Sequence, residues 1–183
     1  LRWYAAASVL RCSHLNRALA IKERFVKNSN QEYLSMAIAY IEIGKVAASS
    51  NSGLINTHEF ENAIAYQLYH SVELFYKYML LNKGVTKKGH DLAELENEYR
   101  KHFANDKFKL NHPFDFSGYE ASGLKPREEE MVNAHLRQFK PEFMDQHLRY
   151  PRNHNTGGYS YKFDEPYFDS IKAQMLNIAA IDC

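Results

Sequence analysis

The stretch from residue 58 to residue 82 carries apolar side chains at the spacing of one long amphipathic helix. They recur at intervals of three or four residues: Phe60, Ile64, Leu68, Val72, Phe75 and Met79. This spacing places all six on one face of an α-helix, and it is typical of a helix that packs against two or more others. Asn82 and Gly84 then provide a helix end. The sequence therefore predicts a central helix over residues 58–82.

The same periodicity predicts helices along almost the whole chain, because alternating strand patterns are scarce. The predicted helices cover about 3–26, 31–49, 58–82, 92–104, 126–147 and 166–181. The stripe of the second comprises Leu34, Ile38, Ile41 and either Lys45 or Val46. Asp91 and Glu94 have the spacing of a capping pair at the start of the fourth, and Pro141 should bend or break the fifth near Phe139. We predict an all-α, up-and-down helical bundle.

Composition indicates a single domain without a strong overall charge. The 183 residues are 45% hydrophobic, enough for one sizeable core. The 23 Lys and Arg residues nearly balance the 22 Asp and Glu, so a polyanion would need a local basic patch. No apolar run approaches the roughly 20 residues of a membrane span. Cys12 and Cys183 are too few for a disulfide framework, and no secretory signal is visible, so a cytoplasmic location is the default expectation.

A helical chain with nine histidines raises the question of a metal site. A carboxylate-bridged di-iron bundle needs a Glu three residues before each ligand His. No Glu occupies that position before His58, His70, His102 or His135. Paired Cys motifs, His-Glu-x-x-His and phosphate-binding glycine loops are also absent from the sequence. We therefore expect no metal and no cofactor, and we interpret the histidines as surface or hydrogen-bonded residues.

Two short groups of charged residues have both a structural and a functional interpretation. Glu73 and Lys77 are four residues apart on the predicted central helix, which is the spacing of an ordinary surface ion pair. Lys87 and Lys88 precede the helix start at Asp91, where two cations beside free N–H groups can hold a phosphate. The same lysines fit a solvated loop equally well.

The segment 146–154 is richer in side chains that suit phosphate or base binding. Within eight residues it carries His147, Arg149, Tyr150, Arg152 and His154. The arginines can fork onto phosphate oxygens, the tyrosine can stack on a base, and either histidine can move a proton near neutral pH. In the alternative, Arg149 pairs with an acidic helix while Tyr150 and Pro151 only lock the turn.

Taken in order, several of these motifs resemble the HEPN family, short helical domains of prokaryotes and higher eukaryotes linked to nucleotide binding and RNA cleavage. The motifs are residues 69–80 with Glu73 and Lys77, the Gly-His-Asp-Leu at 89–92, and the Arg-Tyr-Pro at 149–151. The resemblance covers roughly residues 59–181, which makes 1–55 an N-terminal helical addition to a core of 56–183. It implies a bundle that commonly dimerises and often serves in toxin–antitoxin pairs, phage defence or nucleotide sensing. A nucleotidyltransferase is then one candidate partner.

Active HEPN ribonucleases share an Arg followed four to six residues later by a His, with a polar residue usually next to the Arg. Arg149 and His154 match this spacing, but Tyr150 replaces the polar neighbour, and Pro151 interrupts the helix that would present both on one face. We therefore predict a nucleotide- or RNA-binding module, with Arg149, Tyr150, Arg152, Lys87 and Lys88 as its binding residues. The alternatives are a metal-independent endoribonuclease that uses Arg149 and His154, and a purely structural dimerisation element.

Overall fold

The computed structural model describes residues 30–50, 58–114, 125–136, 141–150 and 162–182. Its helices are α1 (residues 30–48), α2 (His58–Asn82), α3 (Leu92–His102), α4 (Pro126–Leu136), α5 (Pro141–Arg149) and α6 (Glu165–Asp182), with a 3-10 turn at Asp106–Phe108. None of these residues lies in a β-strand, so the predicted all-α bundle is confirmed. Of the helices in the described ranges, none is long and apolar enough to cross a membrane. The predicted helix 3–26 lies outside these ranges.

Helix α2 is the centre of the bundle, and its bounds are those predicted. Leu68, Val72, Phe75 and Met79 are completely buried. Helices α3, α5 and α6 all pack against α2. On the side of α1, the Ser71 hydroxyl donates a hydrogen bond to the carbonyl of Ala37 at 2.7 Å. The prediction of a central helix with a buried apolar seam is therefore confirmed.

After α2, the chain turns back along the helix that it has just left. Gly84 and Gly89 have φ angles of 73° and 98°, in the left-handed region that glycine adopts without strain. The loop between them returns far enough for the Tyr69 hydroxyl to reach the carbonyl of His90 at 2.8 Å. The loop residues before α3 therefore lie beside the middle of α2, not beyond its end.

Helix α3 then runs in the same direction as α2. The ring centres of Tyr76 and Tyr99 are 4.7 Å apart, and the Lys83 ammonium lies over the Phe103 ring. Later residues after Tyr76 thus contact later residues after Tyr99, as in two parallel helices. The carboxylate of Asp91 accepts a hydrogen bond from the backbone N–H of Glu94 at 3.0 Å, which confirms the predicted cap.

Helices α1 and α6 are antiparallel and are joined by ion pairs. The Lys45 ammonium lies 2.8 Å from Asp169 and 3.1 Å from Glu165, while Glu42 pairs with Lys172. Moving back along α1 from Lys45 to Glu42, the ion-pair partner moves forward along α6 from Asp169 to Lys172. The two helices therefore run in opposite directions. The charged residues in the C-terminal half of α1 thus pair with α6.

The core-facing stripe of α1 differs from the predicted one. Its buried residues are Leu34, Ala37, Ile41 and Gly44. A Cβ atom on Gly44 would lie 2.5 Å from a ring carbon of Phe168, so a glycine is what allows α6 to approach this closely. The predicted continuation at Lys45 or Val46 is wrong, because Lys45 is turned toward the acids of α6 and Val46 is exposed.

Two predicted helix ends are corrected by the structure. Of the helix expected over 126–147, the structure describes α4 up to Leu136 and α5 from Pro141. The bend or break predicted near Phe139 falls between them, outside the described residues. Proline fits the first position of a helix, where its missing N–H costs no helical hydrogen bond. Helix α5 then continues to Arg149, which is therefore its last residue. Helix α3 ends at His102, two residues early, where the backbone N–H of Phe103 closes the last turn.

Candidate functional site

A polar stripe runs along α2 beside its apolar seam. It consists of Tyr66, His70, Glu73 and Lys77, at intervals of four, three and four residues. The prediction of an ordinary surface pair at Glu73 and Lys77 is wrong, because the Glu73 side chain is only 1% exposed. The Lys77 ammonium approaches it to 2.6 Å and is itself mostly buried. Buried charges of this kind require close partners, and Glu73 has several.

Three donors converge on the Glu73 carboxylate. Lys77 Nζ and His90 Nδ1 lie 2.6 and 3.0 Å from Oε1, and His70 Nδ1 lies 3.2 Å from Oε2. Burial alone would raise the pKa of Glu73, but the hydrogen bonds from His70 and Lys77 outweigh it and lower the pKa to about 2. The carboxylate is therefore ionised at neutral pH and can only accept.

The ionised carboxylate fixes the tautomer of both imidazoles. Because Glu73 can only accept, His70 and His90 must each carry a hydrogen on Nδ1. When either ring is neutral, its Nε2 atom is consequently the unprotonated nitrogen, which can accept a proton. One buried acid thus orients two rings in the same way, which is an arrangement suited to proton transfer.

The loop before α3 holds His90 at two points. Its carbonyl accepts the hydrogen bond from Tyr69, a fully buried residue whose pKa is raised by that burial, so the hydroxyl remains a donor. Its ring donates to Glu73. The side chain is nevertheless 60% exposed, so the outer edge of this ring faces solvent. His90 is the more accessible of the two oriented histidines.

Arg149 reaches the same region from the end of α5. Its guanidinium pairs with Asp145, one turn earlier, at 2.5 Å. Its central carbon lies 5.7 Å from the Tyr66 ring centre and 5.5 Å from that of Tyr150. Tyr66 in turn stacks on His70 at 5.8 Å. The α2–α5 site, as we name it, consists of Tyr66, His70, Glu73, Lys77, His90, Asp145, Arg149 and Tyr150.

The structure brings only part of the predicted binding set together. Arg149 and the exposed Tyr150 belong to the α2–α5 site. Lys87 instead pairs with Glu94 in the first turn of α3, at 2.8 Å, and Lys88 is exposed in the same loop. Arg152 and His154 lie outside the described residues, as does the side chain of His147.

Sequence reasoning overlooked Tyr66, His70, His90 and Asp145. The first two had a usable signal, because they continue the spacing of Glu73 and Lys77 along α2 and so define a second stripe. His90 lies in the Gly-His-Asp-Leu motif at 89–92, but its contact with Glu73 depends on the path of the loop, which no local pattern predicts. Among the residues that the structure describes, no group of three or more His, Cys, Asp or Glu could hold a metal ion.

Comparison of the chain with protein-family models, curated proteins and solved structures gave no match. The HEPN resemblance of the motifs around Glu73, His90 and Arg149 therefore stays a prediction.

Proposed function

We propose that the protein binds a nucleotide or RNA at the α2–α5 site, with Arg149 contacting a phosphate. The observation that carries this proposal is the placement of the Arg149 guanidinium over the rings of Tyr66 and Tyr150, with its side chain 33% exposed. Aromatic contacts and the Asp145 pair hold the guanidinium in one place, and its five N–H donors exceed what one carboxylate oxygen accepts. The remaining donors suit a phosphate.

The exposed ring of Tyr150 supports the same proposal. It lies at the end of α5, directly after Arg149, and a base stacked on it would place the attached phosphate within reach of the arginine. Stacking is tolerant of base identity, because every base has a flat face. The proposed site is therefore selective for a nucleotide unit and not for one sequence.

The test is the substitution Arg149→Lys, which keeps the charge but loses the planar fork. We expect the affinity for a labelled single-stranded RNA to fall by about tenfold at fixed salt, because the two-point contact with phosphate is lost. Fluorescence anisotropy measures this, with a mononucleotide as competitor. The melting temperature should change little, since a lysine can still pair with Asp145.

Arg127→Lys is the matched control, because Arg127 is an exposed arginine on α4, outside the site. Equal loss of binding in both variants, or no binding by the unaltered protein, would remove the proposal. Arg149→Ala is a poorer choice. Among the described residues, it leaves the buried carboxylate of Asp145 with the Gln146 amide at 3.2 Å as its remaining partner, so it would also destabilise the fold.

A metal-independent endoribonuclease is the second candidate function, and the orientation of His70 and His90 by Glu73 favours it. In such a reaction a neutral imidazole takes the proton of the ribose 2′-hydroxyl, which attacks the phosphorus. A protonated imidazole gives a proton to the leaving 5′-oxygen, and the product ends in a 2′,3′-cyclic phosphate. Arg149 would stabilise negative charge on the phosphate oxygens.

For this candidate we expect purified protein to convert mixed RNA, in the presence of a chelator, to fragments with cyclic phosphate ends. His90→Ala should abolish cleavage and retain RNA binding, because the ring supplies a proton site and not the main phosphate contact. His102→Ala, in a surface histidine paired with Glu98, is the control. His154→Ala tests the pair implied by the family resemblance. If the unaltered protein gives no such fragments, the catalytic candidate is wrong while the binding proposal stands.

A further inference from the structure

The side of α1 that faces solvent is almost free of charge. The helix contains three charged residues, Glu32, Glu42 and Lys45, and the last two are paired with α6. Only Glu32 is left for the solvent side. Helix α3 is shorter, yet six of its eleven residues are Glu, Arg, Lys or His. Charged and polar residues of this kind ordinarily cover the solvent side of a surface helix. The outer side of α1 is therefore of the kind that another molecule or segment covers.

In place of charges, that side presents an apolar line. Its members, all exposed, are Met36, Ala39, Ile43 and Val46. The three large ones are 52%, 55% and 70% exposed. Intervals of three, four and three residues place them on one seam, the spacing of helices that pack along their length. We call these four residues the α1 seam.

The apolar surface continues onto α6. Glu42 pairs with Lys172, and the two helices are antiparallel, so Leu176, one turn beyond Lys172, lies alongside residue 38 of α1. Leu176 is also among the exposed large apolar residues. An apolar patch that spans two helices is an interaction site more often than chance exposure.

We propose that the α1 seam is the contact surface between two copies of this chain, related by a two-fold axis. The intervals three, four and three read the same in both directions, so an antiparallel copy matches the seam with itself. Met36 then lies opposite the partner's Val46, and Ala39 lies opposite the partner's Ile43. The two-fold axis repeats each of these contacts, so the seam has four layers of facing side chains. All four layers are apolar. The two that pair Ala39 with Ile43 join a small side chain to a large one, which allows close approach of the helices. Self-matching of this kind is what a two-fold contact requires.

Charge also agrees with a second copy as the occupant. Glu32 falls outside the four layers, so no like charges meet across the seam. One helix from each copy, bordered by Leu176, offers less than the roughly 800 Å² per partner of a standard stable interface. The dimer should consequently be weak and dependent on concentration. This proposal does not rest on the proposed function, because it requires neither ligand nor catalysis.

The first test is sedimentation velocity of the full chain in reducing buffer, from about 1 to about 200 µM, where mass action should shift a weak dimer. We expect the sedimentation coefficient to rise with concentration, and Ala39→Glu to remain monomeric because two carboxylates would be buried in the seam. Glutamate is a good helix former, so circular dichroism should stay unchanged. Met131→Glu, in an exposed residue of α4, is the matched control and should associate like the unaltered protein.

The second test examines the antiparallel pairing itself. Ile43→Lys alone should also prevent association. Ala39→Glu combined with Ile43→Lys should restore it, because each new carboxylate would face the partner's new ammonium. A protein that is monomeric over the whole concentration range overturns the proposal. If Ala39→Glu then also lowers the melting temperature, the occupant of the seam is residues 1–29 of the same chain and not a second copy. A dimer that persists in Ala39→Glu overturns the proposal as well.

Discussion

Replacing Glu73 by alanine is expected to lower the free energy of unfolding by roughly 3–5 kcal/mol, the loss typical of breaking a buried ionic group by removing one partner. The substitution leaves the Lys77 ammonium, which is mostly buried, without its 2.6 Å acceptor, and it also releases His70 and His90. Urea denaturation at pH 7 measures the change. A matched control is Glu98→Ala, which removes a carboxylate from the surface of α3 and should change stability little.

The same carboxylate should make stability depend on pH. The folded pKa of about 2 lies below the ordinary 4.5, so the unfolded chain binds the proton more readily. The resulting stabilisation, on the order of 3 kcal/mol, is fully present above pH 4.5 and is lost as pH falls toward 2. Glu73→Gln should flatten this part of the profile. An unchanged slope in that variant would show that other groups govern acid unfolding.

Replacing Phe75 by alanine is expected to cost roughly 3–5 kcal/mol of unfolding free energy, because the ring is completely buried and its removal leaves a cavity. Its ring centre lies 6.2 Å from that of Tyr76 and 6.4 Å from that of Tyr78, so aromatic contacts are lost as well. Thermal and urea denaturation both report the change. Phe60→Ala, on the same helix but only partly buried, should cost clearly less. Similar losses in the two variants would contradict the assignment of Phe75 to the core.

The sequence predicted the central helix α2 correctly and the exposure of Glu73 wrongly, and both outcomes have one physical explanation. Apolar periodicity depends only on helix geometry, so the seam through Phe75 and both ends of α2 follow from spacing. The burial of Glu73 depends on a loop that returns along the helix and brings in His90. No local pattern encodes that path. A surface pair and a buried one share the same four-residue spacing, so Lys77 alone does not distinguish them.

The α2–α5 site could likewise be predicted only in part from the sequence. Arg149 and Tyr150 are visible in the sequence because their chemistry is concentrated in a short segment. Tyr66 shares the polar stripe of α2 with Glu73, but its contact with Arg149 exists only because α5 packs across α2. Local turns likewise follow from local chemistry, as at Asp91. Long-range contacts between side chains do not, and they decide which of the candidate residues meet.

The pairing of α1 with α6 also has a consequence for how the protein is made. The ion pairs between them join residues 124 and 130 positions apart, and Gly44 meets Phe168 over the same separation. Closing so long a loop has a large entropic cost before any contact compensates for it. During synthesis, α1 leaves the ribosome long before α6 exists. The side of α1 that faces α6 therefore remains exposed to chaperones and to other nascent chains until α6 has been translated.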